Sequence, residues 1–510
     1  MIPLGRLGAI ALAILSVSAL PAAAQQPRTL RIVTPFEITG LDPARSGYVF
    51  ARMQIAETLV GADDGGLARP ALAGSWSLSE DRIAWRFTLR PAARFHDGTP
   101  VTAEAVAAAL RRARTTAGGI LVNAPIASIE ADGGDVVIRT TQPFISMPAF
   151  VAHSSTIILA PGAFDAAGAV TTMIGSGPYR ATEVQPPLRI EAVRFGGWDG
   201  PAPKIERVSY LAAGRGETRV AMIESGQAEI VTNIPPEAIA RLHRNPRIDM
   251  QVLAIPRTRT IKLNSGGPYF SDIRVRQAFS LAIDREGIST AILRSPAAAA
   301  TQMFPPGLAE WHVPGLPPLA RDLDRAKALL AEAGWRPGPD GILAKEGRPF
   351  RVTMRTFSDR AEQPPMATAM QAQLREIGID MKVAIVNSGE IPAGHQDGTL
   401  DLALLARNFV LVPDPLGTML QDFGPKGGDW GAMGWSSSAM TETLDKLGRT
   451  TEPASRAALR GEVARILQAE LPVIPVAWYD HSVAISRRLT GATVDPLELS
   501  YRITAMSWAE

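Results

Sequence analysis

A chain of 510 residues is too long for a single hydrophobic core, and 46% hydrophobic with 20% charged side chains is the balance of a globular rather than a disordered protein, so two or three domains are expected. Basic and acidic residues nearly cancel, 52 against 50, with no clustered positive stripe, which argues against a nucleic-acid partner and a membrane-binding surface. There is no cysteine, which excludes a disulfide framework and a lipid-accepting cysteine behind a leader.

Residues 1–24 carry one charge, Arg6, then the apolar run LGAIALAILSVSAL and the small-residue end Pro21-Ala22-Ala23-Ala24. This is the pattern of a secretory signal peptide, with cleavage expected between Ala24 and Gln25. The apolar run is shorter than the roughly 20 residues a membrane span needs, so an uncleaved anchor is the lesser alternative and no membrane insertion is expected after cleavage. An exported chain without a lipid tether stays with the cell only where a second membrane retains it. The expected address is therefore the periplasm.

From Thr29, LRIVTPF reads as an opening strand, LDPARSGYVF as a turn away from it, and Gln54, Ile55, Thr58 and Leu59 as a helix with mixed faces. SWSLSEDRIAWRFTLR and ASIEADGGDVVIRT read as hairpins, bent at Ser79-Glu80-Asp81 and Asp132-Gly133-Gly134, with Thr102 capping the helix between them. GSGPY from Gly175 lacks the Lys-Ser/Thr of a phosphate loop and is read as a turn only. LRIEAV and IERVSYL follow as strands, TRVAMIESGQAEIV as a helix and strand, and PPEAIARLHRN as a helix.

Thr260 to Leu293 is the most legible stretch. Ile261 and Leu263 alternate into a break at Ser265-Gly266-Gly267-Pro268, Asp272 is placed to cap a helix carrying Val275, Phe279, Ala282 and Ile283 on one face, and Asp284 to cap the next. FRVTMRTF, PMATAMQAQLREIG and IDMKVAIV then make a parallel strand-helix-strand unit, with Gly378 suited to a left-handed helix end. LDLALLARNF is another strand, SAMTETLDKLGR and SRAALRGEVARILQAEL are helices, and LPVIPVAWYDHSVAI is a closing strand. The sequence is thus α/β.

The run LNSGGPYFSDIRVRQAFSLAIDRE, together with LDPARS, RPALAGSW, WRFTLRPAARFHDGTPVTAEAV, GSGPYRATE, DLDRAKALLAEAGW and LPVIPVAW spread along the chain, resembles the large bacterial extracellular solute-binding proteins, family 5, which serve ABC importers for peptides, nickel chelates and opines. The resemblance implies a two-lobed periplasmic binding protein of Venus-flytrap type, with a small extra subdomain on the first lobe and two hinge strands. It implies a first lobe of residues 25–256 plus 482–510, with the subdomain inserted at about 62–170, and a second lobe of residues 257–481. Such a protein closes on a small solute without catalysis and hands it to an ABC permease and ATPase in the inner membrane. A monomer without cofactor is expected.

The same resemblance nominates contacts. Ser46, Tyr48 and Phe50 fall in a turn that borders the cleft, although Tyr48 and Phe50 equally suit packing beneath it. Ser154 falls where nickel-chelate binders carry a carboxylate-gripping arginine, so either the solute lacks that carboxylate or another residue, with Arg407 the candidate, holds it. His153 is a hydrogen-bonding candidate beside Ser154. In Ala406 to Pro415, Phe409 falls at the position of a solute-stacking aromatic, with Asn408 adjacent, and Leu411 replaces the aspartate that holds a peptide amino terminus. Trp430 and Trp435 lie in a Gly-rich loop at the cleft mouth, as solute covers or as loop anchors.

Six histidines are scattered without a His-x-x-His pair, so direct metal ligation is not expected, although a chelate held by its organic part remains open. Two further functions stay in view, a ligand sensor on the same fold read by a membrane receptor, and a secreted hydrolase. The hydrolase is disfavoured because neither Gly-x-Ser-x-Gly nor His-Glu-x-x-His occurs.

Overall fold

Two long strands run through both halves of the molecule and organise everything else. The computed structural model describes residues 28–425 and 427–510, so the expected signal peptide lies outside the described residues. Ten strands form one mixed sheet: β1 (Thr29–Thr34), β2 (Tyr179–Gln185), β3 (Arg189–Arg194), β4 (Arg207–Ala212), β5 (Ile230–Thr232), β6 (Ile248–Leu263), β7 (Arg351–Thr356), β8 (Asp380–Ile385), β9 (Leu402–Asn408) and β10 (Val473–Ser486). Their order is β8-β7-β9-β6-β10-β5-β1-β4-β3-β2.

β6 and β10 pair antiparallel from Ile248↔Ser486 to Lys262↔Val473. At one end β10 continues into the first lobe by pairing with β5, and at the other β6 pairs with β9 of the second lobe. Between Ile255 and Thr258 the register slips, leaving Pro256 and Arg257 without a partner on β10. A bulge bends and twists a strand, and this one falls where the sheet passes between lobes.

Parallel pairs lie on either side of this crossing. β1 pairs with β4 and β5 in the first lobe, and β7 with β8 and β9 in the second. The second lobe's core gathers Ile261, Val275, Phe279, Met366, Met370, Leu374 and Leu404, all with no more than 1% of their surface exposed. The caps expected there form: Asp272 Oδ1 accepts from Arg274 N and Asp284 Oδ1 from Gly287 N, both at 2.9 Å. Each such cap contributes about 1 kcal/mol.

The first lobe carries a separate four-stranded antiparallel sheet, in the order Ala73–Leu78, Ala84–Leu89, Asp135–Thr140, Ile126–Asp132, packed against the helix Ala103–Thr115. Val412 of the second lobe is buried in this subdomain's core, and Ser146 Oγ donates to Asp414 Oδ2 at 2.6 Å, so the lobes touch across the cleft.

One local expectation fails. The helix near the start spans Pro43–Arg52, not the Gln54–Leu59 segment, and the chain turns at Gln54 with φ of 56°. Asp42 accepts from Ala44 N and Pro43 occupies the first helical position, which starts the helix earlier than the apolar spacing suggested. The Gly175-Ser176-Gly177 turn presses on the chain just after this helix: a Cβ at either glycine would lie 2.2 Å from the Ile55 or Gln54 carbonyl oxygen.

Candidate functional site at the lobe junction

The carboxyl ends of β1, β4 and β5 face those of β7 and β9, the edge at which open α/β sheets bind ligands. The loops leaving these ends meet. Arg219, fully buried, donates to the Thr232, Ala213, Gly214 and Asn233 carbonyls of the first lobe and, at 3.3 Å, to the Asp359 carbonyl of the second.

Tyr479, on β10 opposite the bulge, is the centre. Its hydroxyl accepts from Asn233 Nδ2 at 2.7 Å and Arg360 Nη1 at 2.6 Å. The Arg259, Arg257 and Arg360 guanidinium carbons lie 4.0, 4.9 and 5.1 Å from its ring centroid. Arg360 also lies 5.4 Å from the Phe36 ring, and Arg52 lies 5.6 Å from Phe36 and 5.3 Å from Tyr48. Cations and rings therefore alternate from the second lobe to the first, each contact favourable because a guanidinium sits against the negative face of a π system.

The acids are fewer. Arg259 is held by Glu362 at 2.9 Å. Glu498, from the returning carboxyl-terminal segment, pairs with Arg257, accepts from Asn408 Nδ2 at 2.9 Å, and gives its main-chain oxygen to Arg52 Nε. Burial alone would raise the Glu498 carboxyl, but Arg257, His481, Arg52 and Arg360 outweigh it and hold it at about 2. Burial lowers Arg257 to about 10, against the attraction of Glu498 and with the added repulsion of Arg360 and Arg52. The neighbouring cations lower both groups, outweighing burial at Glu498 and adding to the larger effect of burial at Arg257. Burial likewise takes His481 down to about 4, so it is neutral at neutral pH.

Two hydrogen-bond donors of Arg257, Nε and Nη1, are buried without a partner among the described residues, as is His481 Nδ1. His481 borders a cavity of about 40 Å³, together with Phe36, Arg52, Thr232, Glu498 and Tyr501. A groove of about 590 Å³ borders Tyr479, Arg259, Glu362 and Asn233. The first has room for a few waters and the second has the size of a small-molecule site.

Of the residues nominated from sequence, Asn408 and half-buried Tyr48 belong to this junction. His153, Ser154 and Arg407 form a second group. Arg407 is engaged by Asp422 through Nε and Nη2 and by Gln421 Oε1 at 2.9 Å. His153 Nδ1 bonds Ser155 Oγ at 2.8 Å, and burial followed by the Arg407 charge lowers it to about 4. The Ser154 carbonyl lies against Gly47, where a Cβ would approach to 2.2 Å. Ser46 is buried with its Oγ accepting from Thr39 N at 2.9 Å.

Phe50 and Phe409 pack as core instead of facing open space. Phe50 joins Val49 and Met53, and Phe409 lies 5.2 Å from the Phe304 ring. Trp435 is also buried and donates Nε1 to Glu470 at 2.9 Å, while Trp430 is half-buried against the cluster around Met433. Phe36, Arg52, Arg257, Arg360, Tyr479, His481 and Glu498 were not nominated. Only Arg257 and Arg259 left a trace in sequence, as charges at alternating positions of a strand that otherwise reads as buried.

Among the described residues, no group of three or more His, Asp or Glu is placed to hold a metal ion. The family model for bacterial extracellular solute-binding proteins, family 5, matches residues 68–430. The chain is 26% identical over 468 residues to the glutathione-binding protein GsiB of Shigella dysenteriae, covering 86% of each chain. The fold is that of the oligopeptide-binding protein AppA from Bacillus subtilis (TM-score 0.85, 20% identity, covering 95% of this chain and 100% of AppA). It is equally similar to NikA from Staphylococcus aureus, solved with Ni(L-His)2 (TM-score 0.84, 20% identity, covering 94% and 100%).

Proposed function

Since the chain belongs to the bacterial extracellular solute-binding proteins of family 5, we propose that it is the periplasmic component of an ABC importer, capturing a small organic solute between its lobes and presenting it to an inner-membrane permease and its ATPase. The observation that carries this reading is the pair of strands β6 and β10. They are the continuous sheet connection between the lobes, and they are bulged at the junction.

A two-strand link lets each lobe move as a rigid body, with φ/ψ changes confined to a few residues, here Ile255 to Thr258 and Trp478 to Tyr479. We keep the lobe boundaries read from sequence, 256/257 and 481/482, as part of this proposal. Opening would break the contacts of Asn408 with Glu498 and of Ser146 with Asp414, and closure around a solute would remake them. Nothing in this cycle needs a chemical step, so we assign no catalytic residue. The proposed solute contacts are Phe36, Tyr48, Arg257, Arg360, Asn408 and Tyr479, with His153, Ser154 and Arg407 bordering the other side of the opening.

Relatives named for glutathione and neighbours solved with a peptide or a nickel–histidine complex set the probes. The test is mass spectrometry of whatever copurifies with gently isolated protein, followed by thermal melts with glutathione, short peptides, an opine and nickel–histidine. A bound solute at 100 times its Kd raises stability by about 2.7 kcal/mol. No copurified solute and no shift with any probe would sink the proposal.

A further inference from the structure

We propose that the small subdomain is a clasp on the second lobe: its residues 142–146 grip Val412, Asp414 and the end of the helix Ser438–Arg449, and hold the lobes together whether or not a solute lies between them. The clasp goes beyond the proposed function and uses none of the residues proposed to touch the solute.

Apolar burial is the first ground. Val412 leaves the second lobe to lie in the subdomain core, where it is 1% exposed, and Leu420 packs against the same core. From the other side Phe144, a member of that core, rests on the second lobe at Gly448, its ring 3.4 Å from where a Cβ would stand. The subdomain holds Phe144 in place: Trp85 Nε1 donates to its carbonyl at 2.9 Å, and Phe150 meets its ring edge-on at 4.9 Å. Parting the lobes would bring Val412 and the Phe144 ring into water, so the hydrophobic effect favours the contact with no solute present.

Hydrogen bonds are the second. Ile145 N donates to the Gly448 carbonyl at 3.1 Å, in the last turn of a helix, where carbonyls lack partners of their own. Gln142 Nε2 donates to Asp445 Oδ1 at 2.8 Å, and Arg82 Nη1 to Thr451 Oγ1 at 3.3 Å. Asp414, which accepts from Ser146 Oγ, is fixed beforehand by its own lobe: its Oδ1 accepts from Leu416 N at 3.1 Å and Arg456 Nη2 lies 3.5 Å from its Oδ2. A socket already in place costs little ordering when the subdomain docks. Among the described residues no ion pair within 4.0 Å crosses this contact, and hydrogen bonds of modest net strength leave the clasp able to release.

Placement is the third. Val412 and Asp414 follow closely on Asn408, the last residue of β9, whose Oδ1 accepts from Val410 N at 2.8 Å, so the clasp and a proposed solute contact share one short loop. A ligand shifts an equilibrium only by its differential affinity for the two states, and its apparent Kd is the intrinsic one divided by the fraction of molecules already competent to hold it. A clasp that fills part of the closed state in advance therefore strengthens every solute alike, whatever its chemistry. A passive contact, made only once a solute has drawn the lobes together, strengthens none.

The experiment uses full-length mature protein, unfolded and refolded to strip bound solute. The chain has no cysteine, so Leu188→Cys and Ile385→Cys, at exposed side chains beside the two edges of the ten-stranded sheet, give a unique pair of spin-label sites whose spacing pulsed electron paramagnetic resonance reads. The expected result without solute is a population at the spacing of this structure amounting to about a tenth of molecules or more, beside a displaced one. Ser146→Ala combined with Gln142→Ala should lower the ratio of the first to the second about tenfold, and Val412→Asp, which brings a charge into the subdomain core, should leave the displaced population alone. Should Val412→Asp fail to fold, the double variant decides. A single displaced population in the solute-free wild type, or a ratio unchanged in the double variant, overturns the clasp. Glutathione, trialanine and Ni(L-His)2 are then titrated by calorimetry, and any that binds the wild type should weaken in the double variant in proportion to the lost closed fraction. An affinity unchanged beside a lowered closed fraction also overturns the clasp, whereas silence of every probe counts against the proposed function and leaves the spacing to judge the clasp.

Discussion

Arg257 and Arg407 sit on adjacent strands one residue apart in register, since Arg257 pairs with Asn408 and Thr258 with Arg407, so their side chains leave opposite faces of the sheet. On one face Arg407 meets Asp422 in a two-pronged bond and adds Gln421, and its guanidinium is spoken for. On the other, Arg257 shares a single glutamate with two more arginines and keeps two donors idle. The two arginines therefore differ less in burial than in their supply of partners.

The largest effects should come from breaking the buried ion pair on each face. Glu498→Ala leaves Arg257 and its neighbours buried without an anion, and Arg407→Ala leaves the Asp422 carboxylate, 1% exposed, without its fork. Each should cost about 3–5 kcal/mol in urea unfolding. A probe that binds should stabilise Glu498→Ala by more than it stabilises the wild type, and Arg407→Ala by no more than it stabilises the wild type. Equal stabilisation of both variants would erase the distinction between the faces.

Phe409→Ala follows. The aromatic position in the sequence suggests a solute contact, whose truncation should weaken binding and spare stability. Packed against Phe304 with 1% exposed, the ring instead predicts a loss of about 3 kcal/mol or more on truncation, with solute affinity changed only through the loosened loop. A destabilisation under 1 kcal/mol with a large rise in Kd would return Phe409 to the site.

Acid should act on the junction in two stages. His481 is lowered from its usual 6.5 to about 4 and Glu498 from 4.5 to about 2. In both, the unfolded chain holds its proton more tightly than the folded one. Stability from His481 is therefore whole above pH 6.5 and lost as pH falls through about 4, and stability from Glu498 is lost between pH 4.5 and about 2. Each contribution is on the order of 3 kcal/mol. Glu498→Gln should flatten the lower stage and His481→Gln the upper; an unaltered acid profile in both would remove this account.

How much of this was legible depended on distance along the chain. The strand, turn and helices from Thr260 to Leu293 came through because every determinant is local: Ile261 and Leu263 alternate, Asp272 caps its own helix, and Phe279 lies one turn from Val275. The closing strand read correctly for the same reason. The junction did not, because its groups arrive from Phe36–Arg52, Arg257–Arg259, Arg360–Glu362, Asn408, Tyr479–His481 and Glu498–Tyr501, and no spacing rule links them. Apolar spacing points to a helix around Gln54 to Leu59, but the Asp42-Pro43 start signal governs and the helix runs from Pro43 to Arg52. Phe409 and Trp435 show the converse limit, since an aromatic at a suggestive position can pack on another ring, here Phe304 and Phe423.

The smallest test asks whether Tyr48 is wall or contact. Its hydroxyl donates to the Glu37 carbonyl at 3.0 Å, its ring meets Phe36 edge-on at 6.2 Å and carries Arg52 against its face, and burial lifts its ionisation to about 12, so it stays neutral. Tyr48→Phe removes one hydrogen bond and keeps the ring. The expected cost is about 1 kcal/mol in stability, with solute affinity within about twofold, because the ring and not the hydroxyl is the proposed contact. A tenfold loss of affinity at unchanged stability would place the hydroxyl on the solute, and the first lobe would then contribute a specific polar contact of its own.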